Sequence, residues 1–164
     1  KKGAQGDKEA KVSALVLGAP AHRGRPSDDL DRWDRMAHGL RTGGAEGMYA
    51  QLDRSGPPDW EAKVRTVVLQ RLRRHTHPQA VADALQATPR SAAFAGLDAL
   101  DRIDCPTLVV GTHDAFDSDH PLAVAQEYAQ RIRGARFVME DEGTAPLTWR
   151  GGALSAAILD FLAH

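Results

Sequence analysis

A single cysteine, the absence of any membrane-length apolar run and a near-zero net charge set the first limits on this chain. With Cys105 alone, there is neither an internal disulfide framework nor a cysteine-rich zinc site, and a reducing, cytoplasmic setting is the expectation. No apolar stretch approaches the roughly 20 residues needed to cross a bilayer. The polar opening from Lys1 to Glu9 lacks the apolar segment of a signal peptide. It also lacks an initiator Met, so the expectation is a chain that begins mid-gene or after processing. Lys and Arg number 21 against 22 Asp and Glu, a formal net charge of −1. No overall field therefore recruits nucleic acid or an anionic membrane. Neither internal repeats nor low-complexity tracts occur, and Gly43-Gly44 and Gly151-Gly152 lack the preceding strand that a phosphate-binding loop needs.

What is present is ordinary globular material: 164 residues, 42% hydrophobic and 26% charged, enough for one domain or a large piece of one. Val12 to Gly18 is a short apolar run of the kind that forms a buried strand. A loop from Ala21 to Pro26 follows, then Ser27 as a helix N-cap backed by Asp28 and Asp29. From there to about Leu100 the spacing predicts helices with Gly/Pro breaks. Leu30, Trp33, Met36 and Leu40 define the first, ending before Gly43-Gly44, and Met48 to Leu52 a short second. Trp60 to Arg74 is a third, with Val64, Val67, Val68 and Leu72 on one face; Pro78 to Ala87 is a fourth, and a short helix lies around Phe94 to Leu100.

The pattern then changes. Thr107 to Gly111 is a second buried strand, His120-Pro121 opens a helix through Ala123, Val124, Tyr128 and Ile132, and Ala135 to Met139 is a third strand. A final helix carries Leu154, Ile158 and Phe161. Strands alternating with helices imply parallel pairing and an α/β class. About three parallel strands are too few to bury both faces of a sheet together with a helical insert. The sheet is therefore expected to be completed from outside this chain.

The stretch Ile103-Asp104-Cys105-Pro106-Thr107-Leu108-Val109-Val110-Gly111-Thr112-His113-Asp114 resembles the penultimate strand and acid loop of the α/β-hydrolases. The Pro121-to-Ile132 helix, the strand at Phe137-Val138 and the closing helix Ile158-Leu159-Asp160-Phe161-Leu162 keep that family's order. Val12 to Leu17 is similar to the strand before the cap in enol-lactonase-like members, and the helices between Asp28 and Leu100 look like their lid. The resemblance implies a C-terminal portion of an α/β-hydrolase sheet with an inserted helical cap. It divides the chain into a first core strand and loop (1–26), the cap (27–102) and C-terminal strand–helix units (103–164).

The family's chemistry needs a nucleophile, a histidine base and an acid that orients it. The nucleophile's G-x-S-x-G turn is absent; Ser27, Ser55, Ser91, Ser118 and Ser155 all lie in other contexts. An N-terminal hydrolase portion, as a separate or cleaved chain, is expected to supply it. Asp114 takes the acid position beyond the second strand, where open α/β sheets bind ligands; the plain alternative is a turn-capping carboxylate, and Asp117 and Asp119 compete in the same loop. Where the family carries Gly-His, this chain has Gly143-Thr144, and a threonine hydroxyl cannot shuttle protons near neutral pH. A displaced base, a different mechanism and lost catalysis all follow as readings. His120 is the leading displaced base, with His113 second; the plain reading of His120-Pro121 is a helix start without a catalytic task, and that of His113 a solvent-facing ring. His22, at another sheet-edge loop, is a candidate substrate contact. So is Trp149, whose plain reading is packing under the last helix.

Other classes fit less well. Arg71, Arg73, Arg74, His75 and His77 beside a helix suggest DNA binding, but the cluster is local and strands flank the helices. His113, Asp114, Asp117, Asp119 and His120 are metal-ligand types without a standard spacing, so neither metal nor cofactor is expected. The resulting expectation is a hydrolase of an ester, lactone or related small acyl substrate. Its rival is a non-catalytic relative that binds a small molecule or a partner protein.

Overall fold

Short apolar runs at Leu15–Gly18 (β1) and Thr107–Gly111 (β2), with Phe137, Val138 and Met139 in Arg136–Met139 (β3), form a parallel sheet in the order β1-β2-β3. The structure, a computed structural model, describes residues 11–52, 58–113, 119–139 and 152–164. Leu15 pairs with Thr107 across the first ladder, and Leu108 with Arg136 across the second. β2 is buried along its whole length, with Leu108 and Val109 fully inaccessible, as an uninterrupted apolar run requires. Its neighbours are only half-buried. The first strand begins at Leu15, not at Val12, which is 59% exposed.

Parallel neighbours cannot be joined by a hairpin, so each connection is a crossover. Between β2 and β3 it is a helix at Leu122–Arg131 (α4 in chain order). Val124, Ala125 and Tyr128 share one face of that helix and pack with Val109, Leu100 and Ile132 into the sheet-side core. Between β1 and β2 it is a helical insert comprising α1 (Leu30–Tyr49), α2 (Glu61–Leu72) and α3 (Pro78–Ala87). The insert has its own core, in which Met36, Ala37, Leu40, Met48 and Ala82 are flanked by Trp33, Leu52, Val81 and Leu85. A last helix, α5 (Ala153–Leu162), follows β3.

Several local expectations change in the fold. The N-cap of α1 is Asp29, whose side chain accepts from the Arg32 amide at 3.0 Å. Ser27 is instead occupied by the Trp33 indole, which donates to its hydroxyl at 3.2 Å. Gly43-Gly44 does not end the helix: Gly44 takes φ +60, the chain kinks, and helix resumes to Tyr49. That kink brings Gly39 and Gly47 so close that a Cβ on Gly39 would stand 2.4 Å from the Gly47 carbonyl. On α2 the buried residues are Val64 and Leu69, while Val67, Val68 and Leu72 are half-buried. The stretch near Phe94 is a 3₁₀ helix at Leu97–Arg102.

Entry to and exit from the insert are stitched together. The Gly96 amide donates to the Gly24 carbonyl at 2.9 Å, and the Ser27 amide to that of Pro89 at 2.7 Å. Gly24 has φ +73, and a Cβ there would lie 2.4 Å from the Gly96 nitrogen. At Gly24 there is no room for a side chain, whereas a Cβ on Gly96 would meet nothing within 4 Å.

α5 differs from the other helices. None of its residues is buried, and Leu159 and Leu162 are 67% and 57% exposed. Among the described residues, an ion pair between Arg136 and Asp160 at 2.6 Å links it to β3.

Two stability predictions follow from these contacts. Gly134 also has positive φ, but a Cβ there meets nothing within 4 Å. Gly134→Ala should thus cost only the left-handed backbone penalty, about 1 kcal/mol. Gly24→Ala should cost roughly 2 kcal/mol more, because backbone must move. Thermal denaturation followed by circular dichroism compares them, and equal midpoints would refute the tight neck. By the same assay, Asp29→Ala should lose about 1 kcal/mol as a cap deletion. Ser27→Ala should lose less, and the reverse order would return the cap to Ser27.

Candidate functional site

The loops that leave the C-terminal ends of β1 and β2 emerge on the same edge of the sheet, because the strands are parallel and adjacent. Together with α1 and α3 they enclose a cleft of about 710 Å³. The loop after β1 supplies Ala21 to Ser27, and the loop after β2 supplies Asp119, His120 and Pro121. The insert contributes an apolar wall of Trp33, Val81, Ala84 and Leu85.

His22 stands on one lip. Its Nε2 accepts a hydrogen bond from the Ala93 amide at 3.2 Å, so the neutral ring carries its proton on Nδ1. The ring meets Phe94 edge-on with centroids 5.0 Å apart, and the Tyr128 hydroxyl donates to the His22 carbonyl at 2.6 Å. Burial pushes the Tyr128 phenol above its usual pKa, so it remains a donor. His22 is thus held by the insert on one side and by α4 on the other, leaving Nδ1–H for other contacts.

His120 is exposed and also lines the cleft, immediately before Pro121, the N-cap residue of α4. The structure therefore brings His22 and His120 to one cleft. His113 is half-buried and outside the described lining. Asp114, Gly143, Thr144 and Trp149 lie outside the described residues. Among those described, no group of three His, Cys, Asp or Glu side chains gathers as metal ligands would, and no helix is long and apolar enough to cross a membrane.

The charges around the cleft are balanced. Arg23, Arg25 and Arg32 line it together with Asp28, Asp29 and Asp119. Arg25 is paired with Asp28, which holds that carboxyl below its usual range. Arg23 donates to both oxygens of Glu127 on α4, at 2.9 and 2.7 Å. Arg32 grips Asp119 through two parallel bonds of 2.5 and 2.9 Å, from the first turn of α1 to the lip after β2. Sequence reading placed Asp119 only among competing acids and passed over Arg32. The available signal was a cation in the first turn of a helix, where the dipole disfavours positive charge unless a carboxylate faces it.

Behind the apolar wall, Arg90 and Gln86 hydrogen-bond Asp34 and hold its carboxyl below the ordinary carboxylate range. A carboxyl with a depressed folded pKa stabilises the fold above its free value of 3.8, and the contribution disappears as pH falls through the lower folded value. Arg90→Met should therefore lower the thermal midpoint at pH 7, and the gap from the parent should close on acidification below 3.8. A gap that stays constant with pH would remove the ion pair from the account.

No family model matches the sequence, and no curated protein matches it. Solved structures do. An enol-lactonase from Burkholderia xenovorans superposes with a TM-score of 0.66 at 25% identity, covering 93% of this chain and 57% of its own. A thermophilic esterase from Thermogutta terrifontis, solved with malate bound, gives 0.65 at 24% identity, covering 92% and 56%. An α/β-hydrolase from a Medee basin deep-sea metagenome gives 0.63 at 18% identity, covering 93% and 56%. The chain thus spans a little over half the length of the structures it matches. Its three parallel strands and intervening helices are the C-terminal portion of an α/β-hydrolase fold.

Proposed function

We propose that this chain is part of a hydrolase acting on an ester, lactone or related small acyl substrate, with the nucleophile and oxyanion hole supplied by an N-terminal portion. The observation that carries the reading is the cleft itself. Two loops from the C-terminal ends of adjacent parallel strands close with the helical insert around one small-molecule-sized space, the place where open α/β sheets bind ligands. Residues 27–102 act as its cap, and the apolar wall of Trp33, Val81, Ala84 and Leu85 takes the acyl or alkyl part of the substrate. Balanced ion pairs on the rim favour a substrate held by shape and apolar contact over one steered by charge.

The requirement for a second portion rests on surface chemistry. β1 has a half-buried outer edge, and α5 exposes Leu159 and Leu162 although its sequence is strongly apolar. Surfaces of that kind are normally covered. The matched portion is only 57% and 56% of two structures of the same fold, which leaves length in them for a covering segment. The N-terminal portion is either a separate chain or a cleaved one. The lone Cys105 fits a cytoplasmic assembly.

In the chemistry, the base takes the proton of the nucleophile's hydroxyl as the oxygen bonds to the substrate carbonyl carbon. The same base then protonates the leaving alkoxide, and water repeats the sequence on the acyl intermediate. We take His120, which lines the cleft, as the base, with His113 the alternative and Asp114 the acid that orients it. His22, which also lines the cleft, offers Nδ1–H to the substrate, and Trp149 is a further substrate contact. No cofactor enters.

A second reading has its own observation: Gly143-Thr144 stands where Gly-His is expected, which favours a non-catalytic relative that binds a small molecule or a partner protein. Hydrolysis of p-nitrophenyl esters by the native protein, together with its intact mass, separates the two. The enzyme reading expects a co-purifying polypeptide of comparable size and a rate that falls about 10²- to 10⁴-fold in Asp114→Asn or His120→Ala. A native protein no faster than buffer would leave only the binding reading.

A further inference from the structure

Arg32 is the most deeply buried charged side chain facing the cleft, at 9% exposure, and it sits where a cation is least welcome. It is the third residue of α1, in the first turn, where the helix N-terminus carries a partial positive charge that the Asp29 cap only partly offsets. Burial of a guanidinium there is tolerated only against a well-aligned anion. That anion is Asp119, which arrives from 87 residues away on the loop after β2 and accepts both prongs of the fork. The guanidinium also lies 5.4 Å from the Trp33 ring centroid, which restricts its swing. Asp119 immediately precedes His120 and Pro121, and all three line the cleft. At its far end this lip runs into α4, whose Val124 and Tyr128 are locked in the sheet-side core.

We propose that Arg32 is a positioning residue: a guanidinium carried by the helical insert that fixes the lip Asp119–His120–Pro121 from across the cleft. The part of this proposal that concerns His120 as a base rests on the hydrolase reading; the anchoring itself does not. A two-pronged fork sets both the distance and the orientation of the loop. A lysine, with one point charge on a flexible stem, would set neither. Arg32 is buried while Asp119 is one-third exposed, so the pair joins a fixed point on the insert to a loop that solvent reaches, and its orientation defines where that loop stands.

The test uses the native protein with Arg32→Met, Arg32→Lys, Asp119→Asn and the reversed pair Arg32→Asp/Asp119→Arg. Amide hydrogen exchange across 119–124 and ester-hydrolysis kinetics are read in parallel, with thermal midpoints as a folding control. Exchange at the lip should accelerate at least about tenfold in Arg32→Met and Asp119→Asn, and by less in Arg32→Lys. In the same variants kcat should fall about 10- to 100-fold with KM changed less than about threefold. The reversed pair places an acid at the helix N-terminus, which the dipole favours, and should recover much of both losses. Should Arg32→Met fail to fold, Arg32→Lys carries the comparison. Unchanged exchange in either folded Arg32 variant overturns the anchor. Faster exchange with kcat within twofold of the parent overturns the positioning role. If the parent itself hydrolyses nothing, the hydrolase reading fails, and the exchange measurement alone still decides whether Arg32 anchors the lip.

Discussion

A parallel strand that is buried from end to end must be flanked on both edges and covered on both faces, and β2 is such a strand. Nearly every other feature of the chain answers that demand. β1 and β3 take the edges, α4 supplies one covering face, and the two long crossovers exist because parallel neighbours cannot be linked by tight turns. The cleft is a by-product of the same geometry. Strands running in one direction deliver their outgoing loops to one rim, so residues 21–27 and 119–121 meet although nearly a hundred positions separate them.

Chemical character at that rim comes from pairing more than from composition. Each arginine that borders the cleft has an acidic partner on another segment or another turn: Glu127, Asp28 and Asp119. Histidine is treated similarly. His22 spends one ring nitrogen on the Ala93 amide and lends its carbonyl to Tyr128, which fixes the tautomer and narrows what the ring can offer a ligand. Side chains that look equally available in a linear sequence therefore differ sharply in their freedom once folded.

Signals that depend on neighbours in sequence were readable. The apolar run at Thr107–Gly111, the Pro78–Ala87 helix and the Pro121 start of α4 follow from hydrophobic patterning and proline placement. Signals that depend on distant partners were not. Ser27 has the composition of an N-cap, but a Trp33 indole six positions on takes its hydroxyl and Asp29 does the capping. Gly43-Gly44 has the composition of a stop, yet the insert's core holds Met48 against Met36, so the helix bends and continues. At the site, the sheet-edge position of His22 and His120 was legible from strand ends. The bond between Arg32 and Asp119 was hidden by sequence separation.

Among the described residues there are two packed interiors, one beneath the sheet and one within the helices of the insert, joined by a narrow neck at Gly24 and Gly96. Interiors that share so few side chains accumulate change almost independently. Descendants of such a chain are free to repack Val81, Ala84 or Leu85, and so reshape the space above the strands, while the strands themselves stay as they are.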